Sequence, residues 1–157
     1  MVPRVDVVRI RFPEQLGHAL AIRRAVFVAE QGVSEALEFD GRDSEAEHLL
    51  ALLDGEPVGT LRLRLLDNGR IARIERVAVL AQARGRRTGQ ALMRSALERA
   101  IALDAREARL HAQTYVTAFY QALGFVPFGE EFEEDGIPHV AMRLDLARTD
   151  PQPPEAT

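Results

Sequence analysis

Val77-Ala78-Val79-Leu80-Ala81-Gln82-Ala83-Arg84-Gly85-Arg86-Arg87-Thr88-Gly89-Gln90-Ala91-Leu92 is the stretch on which the fold turns. A β-branched run leads into a loop carrying Gly85, Gly89 and three arginines, Arg84, Arg86 and Arg87. A helix over Thr88 to Leu103 follows, with Leu92, Ala96, Ala100 and Leu103 at helical spacing and Met93 and Leu97 alongside. The free N–H groups and the dipole at a helix start favour an anion. Glycine lets the backbone approach phosphate closely, and arginine adds a permanent charge with forked donors. The segment therefore suits a pyrophosphate. It is neither a Walker loop, which needs Gly-Lys-Ser/Thr, nor a three-glycine dinucleotide fingerprint. Taken alone, it fits a solvated basic turn on a core helix equally well.

Working outward, Ile71 to Leu80 reads as the strand that feeds the loop, and Ala108 to Gln113 as the strand after the helix. That connection suits a parallel crossover, whose front loop is where a ligand sits. Upstream, His48 to Asp54 and Val58 to Leu66 complete an antiparallel meander with Ile71 to Leu80, joined by turns at Asp54-Gly55-Glu56-Pro57 and Asp67-Asn68-Gly69. Within Val58 to Leu66, the leucines at 61, 63 and 65 share one face and Arg62 and Arg64 the other. Val5 to Phe12 reads as a first strand, Glu14 to Glu30 as a helix stopped at Gly32, and Ser34 to Glu47 as a polar, acidic loop. Downstream, Val116 to Leu123 is a short helix closed by Gly124, Phe125 to Phe128 a brief strand, and Pro138 to Leu146 the last strand. The expected fold is a single α/β domain over residues 1–148, with a mixed, mostly antiparallel central sheet flanked by helices. A Pro-rich tail over 149–157 is expected to be disordered.

The chain has 157 residues, a size that fits one domain, and contains no cysteine. Disulfides, thiolate metal sites and a cysteine nucleophile are excluded, and the composition suits a reducing compartment, so a cytoplasmic location is expected. No apolar stretch is long enough to span a bilayer, and Met1 to Phe12 has no signal-peptide core. The net charge of −4 disfavours a nucleic-acid binder and makes the local arginine cluster more informative. No metal and no membrane partner are expected. Oligomeric state is unreadable in the pattern, and a homodimer is allowed.

The arginine loop resembles the coenzyme motif of the GNAT family of acyl-CoA-dependent N-acyltransferases, Gln/Arg-x-x-Gly-x-Gly/Ala between a strand and a helix. Arg84-Gly85-Arg86-Arg87-Thr88-Gly89 matches its first and last positions, with Arg87 in place of the middle glycine. Ala118-Phe119-Tyr120-Gln121-Ala122-Leu123-Gly124-Phe125 resembles the family's Phe-Tyr-x-x-x-Gly-Phe segment. Phe27-Val28-Ala29-Glu30-Gln31, Phe39-Asp40-Gly41 and Glu133-Glu134-Asp135-Gly136-Ile137-Pro138-His139 resemble its ElaA-like branch. The resemblance covers about residues 5 to 146. It implies acetyl-CoA as cosubstrate, with the pyrophosphate on Arg84, Gly85, Arg86, Arg87, Thr88, Gly89 and Gln90. It also implies that Val77, Ala78 and Val79 pair with the pantetheine amides, that Phe119 lies against the coenzyme, and that Tyr120 stands near its sulfur.

An amine must be neutral to attack a thioester. With a pKa of roughly 10.4, about one lysine-like amine in a thousand is neutral at pH 7, so a base is needed, and the departing thiolate benefits from an acid. Tyr120 is the candidate acid; its alternative is a core-edge aromatic. Glu75 is one candidate base, placed by strand parity with Val77 and Val79; its alternative is an ion pair with a neighbouring arginine. His111 is the other, against a purely structural histidine. Glu30 and His139 are candidate residues of the acceptor pocket. His48 reads as a packing residue, and Asp40, Asp43 and Glu45 as a solvated loop without calcium-loop spacing. Glu130, Glu131, Glu133, Glu134 and Asp135 read as solvated surface or as a rim that attracts a cationic amine. The functional expectation is direct transfer of an acetyl group to a primary amine, small-molecule or peptide. The alternative is a non-catalytic acyl-CoA-binding regulatory module.

Overall fold

The structure, a computed structural model, describes residues 4–146, so the tail expected at 149–157 lies outside the described residues. In chain order the elements are β1 Val5–Arg9, α1 Pro13–Arg23, α2 Glu35–Glu38, β2 Glu47–Leu53, β3 Glu56–Leu66, β4 Ile71–Val79, α3 Thr88–Ala102, β5 Glu107–Gln113, α4 Thr117–Ala122, β6 Val126–Pro127, β7 Phe132–Glu134 and β8 Ile137–Asp145. The strands hydrogen-bond in the order β1-β2-β3-β4-β5-β8-β6, with β7 on β8. β4 and β5 pair in parallel from Ile71↔Glu107 to Arg73↔Arg109, as the crossover reading required. The β1–β2, β2–β3, β5–β8, β6–β8 and β7–β8 ladders are antiparallel. This is the expected mixed, mostly antiparallel α/β fold. Among the described residues, no helix is long and apolar enough to cross a membrane.

The described residues fall into two compact units. One holds those up to Arg64 together with Ile74–Glu98. Its core joins Ala19, Ile22 and Val26 to Leu50 of β2 and Ala78 of β4. α1 begins where Pro13 fits the first helical turn, and Gln15 Oε1 accepts from the backbone N–H groups of Arg11 (2.9 Å) and Phe12 (3.2 Å). It continues to Glu30 as the helix reading expected, but Arg24–Glu30 is π-helical, with Gln31 N donating to Val26 O at 3.1 Å. Gly59 of β3 sits where a Cβ would come within 3.0 Å of Leu92 Cδ1, 3.2 Å of Ala78 O and 3.2 Å of Thr88 Cγ2. A side chain there would have to push Leu92, Thr88 or the Ala78 carbonyl aside by a few tenths of an ångström, so glycine suits the close packing of β3, β4 and the start of α3.

The other unit holds Leu65–Arg73 and the described residues from Arg99 onward. β5 alternates cleanly: Ala108, Leu110 and Ala112 are buried, while Glu107, Arg109, His111 and Gln113 form a half-buried polar face. Met142 of β8, opposite Leu110, is fully buried.

Three local expectations need correction. Ser34 to Glu47 is not all loop: Ser34 Oγ caps α2 by accepting from Leu37 N at 3.3 Å, and Asp43–Glu45 forms a 3-10 turn. The arginine side of β3 is as buried as its leucine side, with Thr60 and Arg62 at 0 % exposure, while Leu65 is exposed. The acidic run contains β7, so the described residues have eight strands rather than seven. Asp135 (φ 54°) and Gly136 (φ 75°) make the two-residue hairpin turn that places Glu134 opposite Ile137.

Candidate active site

The arginine loop leaves β4 through a 3-10 turn at Ala81–Ala83 and enters α3 at Thr88. Gly85 (φ 79°) and Arg87 (φ 62°) both adopt the left-handed conformation, so Arg87 takes up the backbone geometry that a glycine accepts without strain. Thr88 is buried, and its hydroxyl donates to Ala83 O at 3.2 Å, which pins the loop and withholds the side chain from a ligand. Ala91 N is bonded to Arg87 O at 3.0 Å; the N–H groups ahead of it have no intrahelical acceptor. Arg86 and Arg87 are exposed and form no ion pair among the described residues.

Arg84 is engaged differently. Its guanidinium grips Glu30 with both terminal nitrogens, at 2.7 and 2.8 Å, and its Nε donates to Val79 O at 3.0 Å. Hydrogen bonding to Arg84 holds the Glu30 carboxyl below its usual range. A coenzyme-loop candidate and an acceptor-pocket candidate are thus bonded to each other. Ala78 belongs to the core cluster, and Val77 and Val79 are half-buried.

Arg76 interrupts β4 with φ 57°. The left-handed residue lies between Glu75 and Val77, and the buried positions Ala72, Ile74 and Ala78 flank it. Four acceptor atoms hold the Arg76 side chain: Glu38 Oε2 at 3.0 Å, Leu37 O at 3.2 Å, Glu38 O at 3.3 Å from one nitrogen and 3.4 Å from another, and Asp40 Oδ2 at 3.4 Å. They belong to a larger ionic network. Arg23, at 1 % exposure, bonds Glu38 at 2.8 Å and Asp43 at 2.7 Å. Arg62, at 0 %, bonds Asp40 with two nitrogens (2.8 and 2.9 Å) and Asp43 at 3.0 Å.

Glu75 also belongs to this network, 2.5 Å from Arg64 Nε and 3.2 Å from Arg62 Nη2. Arg62 and Arg64 are thus among its ion-pair partners. Asp40 and Asp43 are not a solvated loop; they hold guanidinium groups. The hydrogen bond from Arg62 keeps Asp40 well below the usual carboxylate range. Burial pushes Asp43 up, but Arg23 and Arg62 overcome it and leave the carboxyl below its ordinary value. Burial dominates at Glu38, which is raised despite its arginines. His48 is buried, with Nε2 2.9 Å from Asp43 O, and burial lowers its pKa.

In the other unit, His111 Nδ1 lies 2.8 Å from Glu134 Oε1 of β7 and 2.9 Å from Arg73 Nη2 of β4. His139 Nε2 is 3.7 Å from Glu134 Oε2, and its Nδ1 is 2.6 Å from Ile137 O. The Phe132 ring meets His111 edge-on at 4.9 Å and stacks with His139 at 6.1 Å. A hydrogen bond from His111 holds Glu134 below its ordinary pKa. His111, Arg73 and Arg109 line a cavity of about 230 Å³, with Leu66, Ile71 and Phe128 as its apolar wall. Two histidines singled out in the sequence are thereby brought to one carboxylate. Glu134 and Arg73 were not assigned to that group; the Asp135-Gly136 hairpin signal could have found Glu134. Tyr120 is buried on α4, edge-on to Phe119 (5.0 Å) and Phe125 (6.0 Å), and burial pushes its hydroxyl up to about 12.

Comparison with known proteins agrees with the fold. Residues 13–146 match the acetyltransferase (GNAT) domain family, and the chain belongs to that family of the acyl-CoA N-acyltransferase superfamily. It is 38% identical over 147 residues to protein YyaT of Bacillus subtilis, covering 92% of this chain and 98% of that one. It is similar to the crystal structure of Escherichia coli ElaA, at 33% identity and a TM-score of 0.78, with 89% of this chain and 99% of that one covered. The crystal structure of an acyl-CoA N-acyltransferase from Pseudomonas aeruginosa matches at 35% identity and a TM-score of 0.76, over 88% of this chain and 98% of that one.

Proposed function

We propose that this protein transfers the acetyl group of acetyl-CoA to a primary amine by direct attack on the thioester, without a covalent enzyme intermediate. The observation that carries the reading is the loop at the head of α3. There the glycine-lined turn, the unspent helical N–H groups and the exposed side chains of Arg86 and Arg87 supply the donors and charge that a pyrophosphate needs. The similarity to a named acyl-CoA N-acyltransferase supports the same donor class.

Tyr120 is proposed as the acid that protonates the departing thiolate. Its raised pKa keeps the hydroxyl protonated throughout the neutral range, ready to donate. Of the two candidate bases, His111 is favoured. Glu75 is bound by two guanidinium groups, which stabilise the carboxylate and make it a reluctant proton acceptor. His111 lines a cavity and has a carboxylate at one ring nitrogen. The acceptor is proposed to be cationic before it is deprotonated: Glu130, Glu131, Glu133 and Asp135 are exposed and concentrate cations by a field that salt screens. The test is release of CoA thiol from acetyl-CoA with spermidine, L-lysine and glucosamine as probe amines. Amine-dependent release that slows with added salt for the polyamine supports the reading. Calorimetric acetyl-CoA binding with no release for any amine would turn it to a binding module.

A further inference from the structure

The acidic run at the β7–β8 hairpin is exposed except for Glu134, which turns inward onto the half-buried face of β5. The hairpin register explains this. Phe132 opposes His139 and Glu134 opposes Ile137, so Phe132 and Glu134 share a strand face while Glu133 takes the other. Between them they surround His111: the carboxylate at Nδ1, the aromatic edge against the ring.

A neutral imidazole carries one proton, and its position decides what the ring can do. With the proton on Nδ1, the ring donates to Glu134 Oε1 and leaves Nε2 as a base. With the proton on Nε2, Nδ1 accepts from Arg73 and the ring has no basic nitrogen to offer. Both partners stand at bonding distance, 2.8 and 2.9 Å. His111 is the one hydrogen-bond donor to the Glu134 carboxylate among the described residues, since His139 Nε2 is 3.7 Å away. A half-buried carboxylate without a donor is costly, so the proton on Nδ1 satisfies Glu134.

We propose that Glu134 is a positioning residue that holds the His111 proton on Nδ1, so that Nε2 receives the proton of the incoming amine. This rests on the acetyl-transfer reading above. In that step the nitrogen lone pair forms the new C–N bond and the C–S bond breaks toward sulfur. The ammonium first gives one proton to His111 Nε2, which releases it to solvent; after attack the second proton on nitrogen goes to the same Nε2, the thiolate takes one from Tyr120, and the proton held on His111 returns by way of solvent to the Tyr120 phenolate. Glu134 then stabilises the imidazolium, while Arg73, across the ring nitrogen, disfavours it and speeds return of the proton to solvent. The charged or titratable groups that face His111 are Arg73 from β4, Arg109 from its own strand, Glu134 from β7 and His139 from β8, through Glu134.

The experiment compares wild type with Glu134→Gln and Glu134→Asp by ¹⁵N NMR of the histidine rings, with His111→Ala to assign the signal. The wild type is expected to show the Nδ1–H tautomer. Glu134→Gln removes the negative charge and leaves Arg73, so His111 should shift toward the Nε2–H tautomer. With the fastest probe amine, the plateau of kcat/KM should drop roughly 10-fold or more, as expected for loss of a general base's support. Glu134→Asp keeps the charge and should lie between the two, which guards against a glutamine variant that misfolds. Acetyl-CoA affinity should be unchanged in all three. An unchanged His111 tautomer in Glu134→Gln overturns the proposal even when transfer to spermidine is intact. Failure of the wild type to acetylate any probe amine overturns the transfer reading, and this proposal with it, whatever the tautomer.

Discussion

The network around Arg62 and the loop around Arg86 lie in the same compact unit, and both are built from arginine. Arg23, Arg62 and Arg76 face Glu38, Asp40, Asp43 and Glu75, and the first two are essentially out of solvent. Their charge is used up internally: it ties α2 and the loop beyond it to α1, β3 and β4, and it holds the left-handed Arg76. Arg86 and Arg87 keep their charge in solvent at a helix start, where an external anion is the natural complement. Arg84 stands between the two cases, exposed yet gripped by Glu30. Residue type alone therefore says little about an arginine here; burial and the nearest carboxylate decide whether it builds the fold or receives a ligand.

The largest effect should come from breaking the buried side of that contrast. Arg62→Ala would leave Asp40, Asp43 and Glu75 short of a partner, and removing one member of a buried ionic group costs about 3–5 kcal/mol. Urea unfolding should show it, and a loss under about 1 kcal/mol would mean that the network contributes little. Acid should act on the same groups. Asp40 and Asp43 have folded pKa values below their unfolded ones, so their stabilisation is present above the unfolded pKa and is lost as pH falls through the folded values. Glu38, raised by burial, works in the opposite direction and offsets part of that loss. The wild type should therefore lose stability on acidification more steeply than Arg62→Ala does.

Tyr120→Phe comes next. It keeps the aromatic contacts with Phe119 and Phe125 and removes only the proposed acid. Turnover should fall roughly 10²-fold with acetyl-CoA affinity little changed. Turnover within about twofold of wild type would make Tyr120 a packing residue.

The exposed arginines can then be set against each other. Arg86→Ala should weaken acetyl-CoA by about 1.5–3 kcal/mol, the range for a hydrogen bond to a charged group. Arg84→Ala also removes the Glu30 contact and the bond to Val79 O, so its effect should include a change in the loop's stability. Glu30→Gln separates the two roles. If Glu30 competes with the coenzyme for Arg84, affinity should rise; unchanged affinity would make the pair a clamp only. Calorimetry reads all three variants.

Much of this contrast was legible in the primary structure, and the parts that were not have identifiable causes. The parallel crossover announced itself because a β-branched strand, a glycine–arginine loop and an amphipathic helix follow one another locally. β7 was missed because three residues with two glutamates carry no hydrophobic period; only Asp135-Gly136 marks the hairpin. The burial of Arg62 was hidden for a different reason. Alternation says which face a residue occupies, but not whether that face is covered, and here carboxylates distant in sequence cover it. The partners of Glu75 were hidden in the same way, because Arg62 and Arg64 reach it from a neighbouring strand.

The smallest expected effect tests the loop's backbone apart from its charge. Arg87 holds φ at 62°, where a side chain other than glycine costs roughly 1–2 kcal/mol. Arg87→Gly relieves that strain but adds conformational freedom to the unfolded chain, a penalty of about 0.5–1 kcal/mol. The two largely offset each other, so stability should rise by at most about 1.5 kcal/mol. If Arg87 contributes only its backbone N–H to the coenzyme, affinity for acetyl-CoA should stay within about twofold, because glycine keeps the N–H and the conformation. A loss comparable to that of Arg86→Ala would instead place the Arg87 guanidinium on the phosphate. Arg87→Ala completes the comparison: it loses the charge like Arg87→Gly but keeps the strained φ. Equal affinities for the glycine and alanine variants would assign any loss to charge, and a weaker alanine variant would assign it to the shape of the turn.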